Sequence, residues 1–189
     1  MNFDTDIEEA LTVLKSGGLI LYPTDTVWGI GCDATHAAAV ARIHALKKRP
    51  DEKSMVVLLA DENEIPKYVL QHNLKIFDYI KGVHKPTTFI YEGGINLAKN
   101  LIQGDGTIGI RITGDPFCKK LITLFGKPVV STSANISGYP APALFEDIDL
   151  EIKNGVDYIV QHRQDDLQAA APSAIVKLNV DDTITIIRS

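Results

Sequence analysis

Apolar residues at Ile7, Leu11 and Leu14 recur at helical spacing, with Asp4 or Thr5 as a cap. Gly17 and Gly18 supply the stop. Residues 19–22 form a continuous apolar run that reads as a strand closed by Pro23. Ala39, Ile43 and Leu46 mark a second helix, which must end near Arg49 because Pro50 restricts the residue before it. Residues 55–59 read as a buried strand, and 64–83 as mostly helical with a break near His72. Residues 88–91 and 107–112 read as strands. Phe117, Leu121 and Leu124 form a helical stripe, followed by a strand at 128–130. Two late strands, 174–178 and 183–188, flank a turn at 179–182 and predict a hairpin. Alternating helices and strands predict an α/β fold, with a twisted mixed β-sheet flanked by helices in a single domain over 1–189. No repeat or low-complexity tract interrupts it. The least regular stretch, 161–172, reads as a mobile loop.

Composition narrows the setting. At 189 residues the chain is long enough for a substantial core. No apolar run approaches the ~20 residues that cross a membrane. The N-terminal segment is acidic where a signal peptide is basic, which predicts a cytoplasmic protein. Cys32 and Cys118 stand far apart with no C-x-x-C pair, fitting a reducing compartment. A formal net charge of −5 argues against general nucleic-acid coating, while leaving room for a local basic patch.

Five segments could carry chemistry. Tyr22-Pro23-Thr24-Asp25-Thr26 follows a strand; it is either a turn or a strand-end loop offering hydroxyls to a small polar ligand. Lys47-Lys48-Arg49-Pro50, with Lys53 beyond, either complements a helix C-terminus or binds phosphate. Residues 131–138 hold Ser131, Thr132, Ser133, Asn135 and Ser137 in seven positions, more polar side chains than one helix cap uses. In Thr107-Ile108-Gly109-Ile110-Arg111 strand alternation puts Thr107, Gly109 and Arg111 on one face. Arg111 there is either a surface residue or the partner of a carboxylate or phosphate. Ser173 and Arg188 carry negligible signal by themselves.

Two glycine patterns mimic a dinucleotide fingerprint. The one at 104–109 runs into a strand and fails the strand–turn–helix context. The one starting at Gly29 and Gly31 lacks a preceding βαβ unit. There is no P-loop sequence, no nucleophile elbow and no zinc spacing among His36, His44, His72, His84 and His162. The pattern favours positioning and charge stabilisation over covalent catalysis.

Together, Lys47-x-Arg49 and Ser133-x-Asn135, with Pro-Thr-Asp-Thr upstream, resemble the YrdC/Sua5 (TsaC-type) threonylcarbamoyl-AMP synthase family in its short single-domain form. The matching segments are 18–59, 86–112 and 128–142, with a weaker match over 173–188. The resemblance implies a twisted α/β sheet around a large concave, positively lined cavity. It implies L-threonylcarbamoyladenylate synthase activity: L-threonine, bicarbonate and ATP give L-threonylcarbamoyl-AMP and pyrophosphate, feeding threonylcarbamoyladenosine modification of tRNA beside the anticodon. Mg²⁺ would accompany ATP. Lys47, Arg49, Ser133 and Asn135 would be catalytic, and Arg49, Lys53, Thr107, Ser133 and Arg188 would bind ATP. Thr26, Arg111, Ser131 and Ser173 would hold threonine, with no protein metal ligand. Further partners implied are tRNA or double-stranded RNA and a downstream tRNA threonylcarbamoyl transferase complex.

Three places depart from the family pattern. Val83-His84-Lys85-Pro86 replaces a Trp-Pro-Gly-Pro stretch. Leu58 stands where larger members often carry histidine. Pro172-Ser173-Ala174 replaces Glu-Ser-Thr, after a non-glycine approach at 161–171. Two other readings stay open: an RNA- or ribosome-binding relative without synthase activity, and a nicotinamide-dependent enzyme using Gly29 and Gly31.

Overall fold

The computed structural model describes residues 3–48, 55–70, 85–178 and 183–189. Arg49, Pro50, Lys53, His72, Val83, His84 and the 179–182 turn lie outside the described residues.

The helices begin and end where their sequences supply the chemistry. α1 (Asp4–Lys15) buries Ile7, Ala10 and Leu14 on one face, and Gly17 at φ 77° turns the chain out. Phe3 occupies its N-cap without a side-chain bond, so neither Asp4 nor Thr5 caps it. α2 (Ala37–Leu46) is capped by His36, which accepts from the Ala39 amide. α3 (Pro116–Phe125) has Asp115 as cap, Pro116 in its first turn and Gly126 at φ 72° as its stop. α4 (Leu150–Gly155) is a short helix absent from the sequence reading. Of 64–83, residues 64–70 are described, and a 3₁₀ helix, Glu62–Lys67, covers their start.

Among the described residues, nine strands join in one sheet: β1 (Ile20–Tyr22), β2 (Gly29–Gly31), β3 (Val56–Leu59), β4 (Thr87–Tyr91), β5 (Ile108–Ile112), β6 (Val129–Ser133), β7 (Tyr158–Ile159), β8 (Ala174–Leu178) and β9 (Ile184–Arg188). Their order is β7-β1-β2-β6-β3-β5-β4-β8-β9. β1–β7, β3–β5 and β4–β8 pair parallel; the remaining neighbours are antiparallel. The sheet is therefore mixed, as the alternating pattern predicts. β2 runs antiparallel to β1, so Gly29 and Gly31 lie in a strand rather than a phosphate-binding turn. That removes the structural basis for the nicotinamide reading.

The period of two in each strand divides the core between the two faces. Leu19, Leu21, Val57, Leu59 and Val130 pack on one side with Val40 and Ile43 of α2 and Ile152 of α4. Ile20, Tyr22, Leu58 and Val129 pack on the other with Ile7 and Leu14 of α1 and Phe117 and Leu121 of α3. Leu58 is thus a buried core residue beneath the helices. Further along this second face the side chains turn polar and the helices give way to a cavity.

Candidate functional site

The strand register assembles the cavity floor. Ser131 pairs with Val56, Val56 with Gly109 and Gly109 with Ile90, forming one cross-strand row, and Ser133, two residues beyond Ser131 on β6, pairs with Gly29. A second row runs from Thr88 through Ile175 to Arg188. Gly29 and Gly109 leave the floor without side-chain bulk. The cavity measures about 510 Å³, and its lining includes Thr26, Arg111, Ser131, Ser133, Asn135, Ser173 and Arg188. Residues from distant segments thus converge on one cavity. Ser131–Ser133 belong to β6 itself, so the polar run begins inside the strand rather than after it.

Arg111 is a tightly constrained cation of the lining. It is only 3% exposed. One terminal nitrogen donates to Thr26 Oγ1 at 2.9 Å. The other lies 3.3 Å from Asp25 Oδ1, near enough for an ion pair but not aligned as a hydrogen bond. Its Nε is buried with no hydrogen-bond partner among the described residues. Such a donor is costly to leave unsatisfied. The turn that holds Arg111 is itself knitted: Thr24 Oγ1 meets Thr26 Oγ1 at 2.9 Å and accepts from the Thr26 amide at 3.0 Å. Asp25 Oδ2 accepts from the Gly114 amide at 2.8 Å.

Arg188 crosses from the last strand. Its Nε donates to the Ser173 carbonyl at 2.9 Å, and Ser173 Oγ meets Thr88 Oγ1 at 2.9 Å. Desolvation first, and the nearby Arg111 charge second, push its guanidinium below the ordinary arginine value. Two guanidiniums that repel across a cavity are stabilised by an anion between them. Both lining cations are arginines, which present planar forks to carboxylate or phosphate oxygens.

Lys47 lies behind the lining of the cavity. It does not line the cavity and is only 1% exposed. Its ammonium donates to the backbone carbonyls of Ser133 and Asn135, the latter at 2.6 Å. Its own carbonyl accepts from the Ser137 amide at 2.8 Å. Lys47 therefore clamps the Ser133-x-Asn135 loop from behind. Asn135 Nδ2 donates to the Tyr139 carbonyl at 2.7 Å, while its buried Oδ1 has no hydrogen-bond partner among the described residues. Thr107 is also outside the lining: its hydroxyl and amide both donate to Asp105, at 2.7 and 2.9 Å. Thr107 precedes β5, and the local Asp105 turn claims its side chain. Arg49 and Lys53 lie outside the described residues.

Thr88, Ile90 and Ile175 line the cavity without having been singled out in the sequence. Their signal was alternation within strands whose faces only the register defines. The loop at 161–172 is fastened at its start. Asp6 accepts from the Gln161 and His162 amides at 2.9 and 2.8 Å and from the Tyr158 hydroxyl at 2.6 Å. Cys32 and Cys118 are free and buried, and burial pushes both thiols well above their ordinary range. Among the described residues, no cluster of three or more His, Cys, Asp or Glu could hold a metal ion, and no helix is long and apolar enough to cross a membrane.

Comparisons with known proteins agree with this architecture. The Sua5/YciO/YrdC family model, described as "Telomere recombination", matches residues 12–189. A threonylcarbamoyl-AMP synthase of Pseudoalteromonas translucida is 38% identical over 141 residues, covering 73% of this chain and 75% of its own. That of Stenotrophomonas maltophilia is 32% identical over 170 residues, covering 88% and 91%. Among solved structures, P. abyssi Sua5 complexed with L-threonine superposes with a TM-score of 0.85 at 22% identity. It aligns with 96% of this chain, which spans only 53% of that longer chain. E. coli YciO superposes at 0.79 with 26% identity, covering 97% of this chain and 88% of its own. On its sequence match and its fold, the chain belongs to the Sua5/YciO/YrdC family.

Proposed function

We propose that the chain is an L-threonylcarbamoyladenylate synthase, a nucleotidyltransferase acting as one domain over 1–189. The observation that carries this reading is the convergence of Arg111 and Arg188 on one cavity, beside the serine and asparagine side chains of the β6 end. Relatives that carry the synthase name at 32–38% identity support it.

The reaction brings two anions together. The threonine amine captures carbon dioxide as a carbamate. A carbamate oxygen then attacks the α-phosphorus of ATP, the bond to the β-phosphate bridging oxygen breaks, and pyrophosphate leaves. Little covalent chemistry falls to the protein; alignment and charge stabilisation dominate. Arg111, buried and braced by Asp25 and Thr26, would receive the threonine carboxylate through its spare Nε. Thr26, Ser131 and Ser173 would border the amino-acid end. Arg188, Ser133 and Asn135 would face the phosphates, with Arg49 and Lys53 as further cations. Mg²⁺ would enter as part of the MgATP substrate, riding on phosphate oxygens. In this reading Lys47 serves the reaction by fixing the loop that carries Ser133 and Asn135. The product would pass to the tRNA threonylcarbamoyl transferase machinery in the cytoplasm.

The test is pyrophosphate release from MgATP by the purified protein, with and without L-threonine and bicarbonate. Release that requires both is expected. A folded protein releasing none above background would refute the proposal and turn attention to RNA binding.

A further inference from the structure

Arg163 stands apart from the cavity lining, yet its contacts close a ring that includes Arg111. Its backbone sits at φ 69°, a left-handed conformation that L side chains rarely adopt. Something must hold it there. Its Nη1 donates to Asp115 Oδ2 at 2.9 Å and to the Thr24 carbonyl at 3.3 Å, and its Nε donates to Asp166 at 3.3 Å. Asp115 is buried, and its other oxygen already caps α3 through the Cys118 amide.

The two segments that Arg163 grips are the two that orient Arg111. Thr24 begins the turn whose Asp25 and Thr26 hold the Arg111 guanidinium. Asp115 follows Gly114, whose amide fixes Asp25. The ring therefore runs from Arg111 to Asp25, Gly114, Asp115, Arg163, Thr24 and Thr26, and back to Arg111. No member of it except Arg111 and Thr26 lines the cavity.

We propose that Arg163 is a positioning residue, a latch that locks the start of the 161–172 loop onto the Thr24–Thr26 turn and so sets the direction of Arg111. The inference rests on the synthase reading for its catalytic consequence, but not for its geometry. A glycine at this position removes all three side-chain contacts and also releases the left-handed backbone. Arg163→Gly thus opens the ring without straining the backbone. Arg163→Lys keeps the charge but loses the fork that reaches Asp115 and Asp166 together.

Two readouts test it. Hydrogen exchange of the Thr26 and Gly114 amides, both internal to the ring, should quicken about tenfold in Arg163→Gly relative to the wild type. Exchange at wild-type rates for both amides overturns the latch, whatever the chain catalyses. In steady-state pyrophosphate release, Arg163→Gly should raise the threonine KM about tenfold and leave the ATP KM unchanged, with Arg163→Lys in between. Equal rises in both KM values, or none, overturn the link to Arg111. A wild type that releases no threonine-dependent pyrophosphate refutes the synthase reading instead, and the amide exchange still decides the latch.

Discussion

Replacing Lys47 by methionine removes one buried positive charge while keeping most of the side-chain stem. The ammonium donates to two backbone carbonyls, those of Ser133 and Asn135. Hydrogen bonds from a charged donor contribute about 1.5–3 kcal/mol each. The Ser133 carbonyl keeps the Asn135 amide at 2.9 Å, so it is not stripped bare. Relief of the desolvation of a buried ion offsets part of the loss. A net destabilisation of about 2–4 kcal/mol remains. For a chain of this size each kcal/mol shifts the melting temperature by about 2–4 °C. Lys47→Met should therefore melt roughly 5–15 °C below the wild type, read by far-ultraviolet circular dichroism and checked by urea unfolding. Synthase turnover should fall with it, because the Ser133-x-Asn135 loop loses its brace. A melting temperature within ~2 °C of the wild type, with a raised ATP KM, would refute the clamp and make Lys47 a phosphate ligand.

Inorganic pyrophosphate at a hundredfold its Kd should stabilise the wild type by about 2.7 kcal/mol, and Arg188→Ala should remove most of that thermal shift while costing little stability, since Arg188 is exposed; an unchanged shift in the variant would place the anion elsewhere. Asp33 gives a pH dependence. Burial alone would raise its carboxyl, but hydrogen bonds from Lys127 and Thr35 outweigh it and hold it below the ordinary value of 3.8. A lowered folded value means stability that is present above the unfolded value and lost as pH falls through the folded one. Asp33→Asn should thus be about 1–2 kcal/mol less stable at neutral pH, with the gap closing below about pH 4; a gap independent of pH would contradict the assignment.

Much of the sheet was legible because its strands are apolar and nearly continuous. β1, β3, β4, β5, β8 and β9 fall within a residue or so of their sequence readings. β2 escaped because two of its three residues are glycines, which carry no strand signal. β7 has two residues and α4 six, too short for a period to emerge. In the site, Thr26, Arg111, Ser131, Ser133 and Asn135, all singled out from the sequence, line one cavity. The burial of Lys47 was not legible, because a cation at a helix C-terminus is ordinarily solvated, and here a loop from 86 residues further along the chain covers it. The bulged register between β8 and β9, invisible in the pattern of apolar residues, sets Arg188 opposite Ile175.

The ladders of this sheet also govern when a binding site can exist at all. β1 finds β7 across the span from Ile20 to Tyr158, β2 finds β6 from Ile30 to Thr132, and β4 finds β8 from Thr87 to Ala174. Such pairings must close large loops before any contact rewards them, which slows folding. A nascent chain lacking only β9 could zip the centre of the sheet and still miss Arg188. Anion affinity is then a property of the finished molecule, and its appearance during refolding should be the last event to report.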